Sequence, residues 1–279
     1  MSINYKEGSK KLYFLIGIGI VFSSLIFVTY EHSHALTIIL FFVSVIAWLG
    51  VFFEVQAMKK KRIADLEVYA VNNNYNFSSK PKSEEITEFK NFKAMQKILE
   101  TGYSYNSHAF FNLLTPIKTT NSRDIKNPKI VTSSTTISNG QGGSTTYYTQ
   151  IFLFKLETEI PIFFLNGGHN SLFGNLFNRY TFKGIKELIA VDIKKYNFPN
   201  NKYKLYAADT KIIKDFFTER FIELLNIGLK KKKKRLHIES DGKNIIFYVK
   251  YKRHTTEGID FYINLSKALS ESLNIKKSS

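Results

Sequence analysis

The pattern of apolar and polar positions divides the chain near its start. Residues 12–30 and 35–53 are two charge-free runs of 19 residues each, holding twelve and thirteen Leu, Ile, Phe or Val. Each is close to the ~20 residues that cross a ~30 Å hydrocarbon layer as a helix. At roughly −0.3 to −0.6 kcal/mol per such residue, either run favours insertion despite its Ser, Thr and Gly. A soluble core helix of this length seldom stays free of charge, and two in succession are rarer. A signal peptide fits the first run poorly: its core exceeds the usual ~7–15 apolar residues, no small-x-small site follows, and a second run does. The pattern predicts a transmembrane helical hairpin, antiparallel because only residues 31–34 join the runs.

Beyond the hairpin, helical spacing of Ile63, Leu66, Tyr69 and Ala70 continues the second span to the stop at Asn72, Asn73 and Asn74. Residues 80–100 carry partial helical periodicity through Ile86, Phe89 and Leu99. Strands are expected at 75–77, 110–114, 160–165, 188–193 and 203–207. The clearest hairpin joins 130–138 to 144–156 around Asn139-Gly140-Gln141-Gly142-Gly143. Its Thr- and Ser-rich tip is expected in solvent and its base, 151–156, in a core. A second hairpin pairs 236–239 with 244–251 through Asp241-Gly242. Two amphipathic helices are predicted. The first covers 210–228, capped by Asp209 or Thr210 and ending at Gly228; the second covers 259–275, with Tyr262, Leu265, Leu269 and Leu273 on one face. Few strand–helix–strand units occur. The fold class is therefore α+β, with a mainly antiparallel sheet and flanking helices behind the N-terminal hairpin. The expected layout is 1–57 hairpin, 58–74 juxtamembrane helix and 75–279 cytoplasmic domain.

The stretch Phe198-Pro-Asn-Asn-Lys-Tyr-Lys-Leu-Tyr-Ala-Ala-Asp209, followed by Lys211-Ile-Ile-Lys-Asp-Phe-Phe-Thr218, resembles a pattern in uncharacterised bacterial two-span membrane proteins. In them a C-terminal cytoplasmic α+β domain follows the spans. The resemblance covers about the last third of the chain. It implies this layout and no activity.

Charge adds direction. Lys6, Lys10 and Lys11 precede the first span, and Lys59, Lys60, Lys61 and Arg62 follow the second, whereas the loop has only Glu31 as a formal charge. The positive-inside rule puts both termini in the cytoplasm and the protein in the plasma (inner) membrane. Gly17 and Gly19 permit close helix approach, and Tyr13, Tyr30 and Trp48 are candidate interface anchors. His32 and His34 read as solvated loop residues. Three lysines and three glutamates cancel over residues 1–57, so the whole +17 lies beyond them. A domain that basic is drawn to anionic lipid, at about 1 kcal/mol per cation near the surface.

Candidate chemistry is sparse. The chain has no cysteine, which removes disulfides, thiolate ligands and cysteine nucleophiles. No HExxH, G-x-S-x-G or Walker A motif occurs, and the Gly-rich stretch 165–170 with Gly174 lacks the GK[ST] of a phosphate loop. His108, His169, His237 and His254 are scattered and read as structural or surface residues. The conspicuous polar feature is the run Lys230, Lys231, Lys232, Lys233, Lys234 and Arg235. Together with Lys59 to Arg62 it forms the candidate contact for anionic lipid headgroups, although such runs are often only solvated. No catalytic residue, metal or cofactor is indicated. The expected partners are the bilayer, its anionic headgroups, and a protein or second copy through the spans; nucleic acid ranks behind. A binding or interaction component is expected ahead of a tethered enzyme.

Overall fold

The computed structural model describes residues 5–30, 33–90, 92, 107–117, 127–138, 144–167, 188–193, 198, 203–232, 236–249 and 255–273. It forms two compact units, Met1–Val68 and Tyr69–Ser279. The chain is α+β, with two long apolar N-terminal helices and a C-terminal antiparallel sheet with helices.

Helix α1 covers Tyr5–Thr29 and α2 covers His34–Asn72. α2 runs unbroken past its apolar part because residues 54–70 contain no Gly or Pro and are rich in good helix formers. It stops where Asn74 adopts φ 57°, a left-handed conformation that Asn tolerates, and where Asn73 Nδ2 donates to the Tyr69 carbonyl at 2.9 Å. The two helices meet along a polar seam. Ser23 and Ser44 hydroxyls lie 2.7 Å apart, Trp48 Nε1 donates to Ser23 Oγ at 3.4 Å, and Thr29 and Thr37 hydroxyls lie 3.2 Å apart. Lys11 Nζ pairs with Glu54 at 2.9 Å. Of the two glycines expected to permit close approach, Gly19 does so, since a Cβ there would come within 3.1 Å of the Trp48 ring, whereas a Cβ at Gly17 would meet nothing within 4 Å. Trp48 is thus engaged with α1. The hydroxyls of Ser24, Thr29 and Thr37 also donate to Ile20, Leu25 and Ser33 carbonyls, which settles their polarity inside the helices.

In the second unit the strands are β1 (Tyr75–Ser78), β2 (Ser107–Pro116), β3 (Lys129–Ser138), β4 (Ser144–Lys155), β5 (Phe163–Asn166), β6 (Ile189–Val191), β7 (Lys204–Ala207), β8 (His237–Ser240) and β9 (Asn244–Val249). They form one sheet in the order β1-β2-β3-β4-β9-β8-β5-β7-β6, with every neighbouring pair antiparallel. The C-terminal hairpin β8–β9 therefore inserts between β4 and β5. Its turn is built by Asp241, whose Oδ1 accepts from the Lys243 and Asn244 N–H groups, and by Gly242 at φ 99°. β2 is bulged, with Asn112 at φ 52°.

Alternation along β4 sends Phe152 to one face and Ile151 and Leu153 to the other. The first face carries α4 (Glu219–Lys232) and α5 (Thr256–Glu271), with Phe152 against Tyr262 at a ring distance of 6.0 Å. On the second face Val131, Ile151, Leu153 and Ile246 pack with Ile86 and Phe89. Ile86 ends a short 3-10 turn, and Phe89 lies on the four-residue helix α3 (Thr87–Lys90). Glu88 of α3 ties this layer to the sheet through Lys129, at 3.2 Å, and Lys155.

Three expectations change. The helix expected over 210–228 is a 3-10 turn, Ile212–Asp215, followed by α4, which starts at Glu219. Asp209 Oδ1 caps the turn by accepting from the Lys211 and Ile212 N–H groups, and Thr218 Oγ1 accepts from the Phe221 N–H to start α4. Gly228 lies inside α4, where a Cβ would stand 2.7 Å from Leu265 Cδ2 of α5; it serves close helix packing and ends nothing. Thr132 and Ser133, expected in a solvated tip, are buried: as consecutive residues of β3 they point to opposite faces of the sheet, and both faces are covered there. The turn 139–143 and the expected helical residues 93–100 lie outside the described residues.

Candidate functional site

Two sets of residues are candidates. In the first, Lys59, Lys60 and Lys61 of α2 are exposed, while Arg62 is buried at 8% exposure. At 1.5 Å rise per residue, these three lysines lie about 8–11 Å along the helix beyond Glu54. Lys10 of α1 is exposed as well. Lys230, Lys231 and Lys232 form the C-terminal end of α4. Lys233, Lys234 and Arg235 lie outside the described residues.

The second set was not singled out from the sequence. Asn166 at the end of β5 and His237 and Glu239 of β8 are buried, at 0%, 2% and 3% exposure. The register Phe164↔Glu239 and Leu165↔Ile238 continues to place Asn166 opposite His237. The even spacing of Asn166, Phe164, His237 and Glu239 puts all four on the second face. Four rings cross this face. Tyr206 stacks on Phe164 at 6.3 Å, Phe164 on His237 at 6.4 Å, and His237 on Tyr248 at 5.1 Å, with interplanar angles of 17°, 12° and 14°. Burial pushes the Tyr206 hydroxyl pKa up.

The Gly167 N–H donates to His237 Nδ1 at 3.3 Å. That bond needs a lone pair on Nδ1, which assigns the proton of a neutral imidazole to Nε2. An oriented imidazole, a carboxyl and an amide on one buried patch are groups that general acid–base chemistry uses. The sequence cue was present: His237 and Glu239 alternate with Leu236 and Ile238, so both polar groups had to share a face. The remainder of the Gly-rich stretch, including Gly168, His169, Asn170 and Gly174, lies outside the described residues. Among the described residues no three His, Asp or Glu side chains converge as a metal site.

Comparison with protein-family models, with curated proteins and with solved structures found no match to this chain.

Proposed function

We propose that the chain is an integral membrane protein in which residues 12–30 and 35–53 cross the bilayer with both termini cytoplasmic. They hold a basic α+β domain at the membrane as a binding or interaction module for an anionic lipid surface. The supporting observation is the exposure of the two apolar helices. Only 6% and 17% of their most hydrophobic windows is buried within the chain, where a soluble core helix would be mostly covered. α2 has 39 residues, or about 58 Å at the helical rise, so it outruns a ~30 Å hydrocarbon layer. In this reading Lys59, Lys60 and Lys61 are within side-chain reach of the headgroups, each gaining about 1 kcal/mol from anionic lipid.

Trp48 is the one tryptophan of the chain and sits in the second span. In full-length protein reconstituted into vesicles, brominated acyl chains should quench its fluorescence. An anionic brominated lipid should quench more than a zwitterionic one, and Lys59→Gln/Lys60→Gln/Lys61→Gln should remove the difference. No quenching by either lipid would reject insertion; equal quenching would reject the anionic preference.

A membrane-tethered enzyme is the second reading, favoured by the buried Asn166, His237 and Glu239. Groups kept for chemistry are held at a cost in stability. Glu239→Leu should therefore raise the unfolding midpoint if the carboxyl is there for chemistry. A large drop would make Glu239 a structural residue.

A further inference from the structure

The last turn of α2 belongs to the second unit, and its Tyr69 is held there by a hydrogen bond. The Tyr69 hydroxyl donates to Asp260 Oδ1 of α5 at 2.5 Å. The Tyr69 ring stacks on Tyr75 of β1, with centroids 6.4 Å apart and an interplanar angle of 29°. The stacking sets the Tyr75 ring beside the ring whose hydroxyl is bonded to Asp260. Burial raises the pKa of both hydroxyls, and the Asp260 charge raises them further. The Tyr75 residue is 4% exposed, and its hydroxyl has no hydrogen-bond partner among the described residues. A buried donor without an acceptor costs free energy that one hydrogen bond would recover. β1 itself is fixed from its other side, through pairing of Tyr75 with Pro116 and an Ile117 N–H bond to the Asn74 carbonyl at 2.9 Å.

We propose that Asp260 is a two-position acceptor, which holds Tyr69 in this structure and passes to Tyr75 when the last turn of α2 is released. The exchange keeps one phenol on the carboxylate in both states, so release does not leave Asp260 without its bond. Two discrete arrangements of one hydrogen bond are what a conformational switch requires. The joint lies on the helix that also carries the second apolar segment. Its state is therefore open to control by whatever acts on α2 or occupies Asp260.

The absence of native cysteine gives a direct test. Ala70, 2% exposed, lies beside Tyr69. In full-length Ala70→Cys protein in lipid nanodiscs, the thiol-labelling rate reports release of the last turn. Tyr69→Phe should speed labelling roughly ten- to a hundredfold, the equivalent of a hydrogen bond to a charged acceptor. Tyr75→Phe should slow it by about tenfold, because the released state loses its partner. In an Asp260→Ala background neither bond exists, and Tyr75→Phe should leave the rate unchanged. An unchanged or faster rate for Tyr75→Phe, or slowing that persists without Asp260, overturns the proposal. Amide hydrogen exchange at residues 69–73 of the chain with Ala70 retained gives the same reading if the cysteine perturbs the turn.

Discussion

At Gly228 a missing methyl group sets how closely α4 and α5 approach. Alanine would add about 1 kcal/mol of helix propensity in an exposed helix, but here its Cβ would stand 2.7 Å from Leu265 Cδ2. Leu265 is buried, so its displacement costs packing. Gly228→Ala should therefore lower the unfolding free energy by about 1 kcal/mol, while the same change in a Leu265→Ala background should raise it; denaturant titration of the four proteins checks both signs. Glu88 makes a second residue-level prediction. Burial alone would raise its pKa, but hydrogen bonds and charge from Lys155 and Lys129 outweigh it and hold the carboxyl below its ordinary 4.5. A depressed folded pKa means stabilisation that is present above the unfolded value and lost as pH falls through the folded one. Stability should therefore decline as pH falls below about 4.5, and Glu88→Gln should flatten that decline; unfolding midpoints across pH 3–7 would show it.

Among the elements, Thr218 joins two helices. Its Oγ1 accepts from the Phe221 N–H at 3.1 Å, and its hydroxyl donates to the Ser272 carbonyl just past α5 at 2.6 Å. Thr218→Ala should cost about 1–2 kcal/mol and Thr218→Ser much less, measured by chemical unfolding. This is also where the sequence was hardest to read. Ile213, Phe217 and Phe221 are spaced by four through the break, so one apolar face spans both the 3-10 turn and α4 and hides their boundary. The cue was Thr218 before Glu219, a cap residue placed inside the apolar period. Strands such as β4 and β9 were legible because short β-branched or apolar runs on either side of a Gly-containing turn are a local signal. Their neighbours were not: Gly167 meets His237 across 70 residues, and no local pattern encodes the insertion of β8–β9 that brings them together. The buried site shared this fate, whereas the exposed Lys59, Lys60 and Lys61 were legible from composition alone.

For the whole molecule, the hairpin carries the strongest statement in the sequence, and it reads the same in three dimensions: two long apolar helices joined at residues 30–33. The proposed topology places Ser33 outside the cell and everything past residue 58 inside. A single Ser33→Cys should react with a membrane-impermeant thiol reagent in intact cells, and Lys243→Cys, in the exposed β8–β9 turn, only after the membrane is opened. The reverse pattern would invert the topology. Reaction of both in intact cells would remove the barrier between them.

The insertion of β8–β9 between β4 and β5 also has a consequence during synthesis. β4 ends at Lys155 and β9 at Val249, so 94 residues must leave the ribosome before β4 gains its second neighbour. At 5–20 residues per second that takes roughly 5–20 s. Throughout that interval Ile151, Phe152, Leu153 and Phe154 line an open strand edge, the kind of surface on which nascent chains pair with one another.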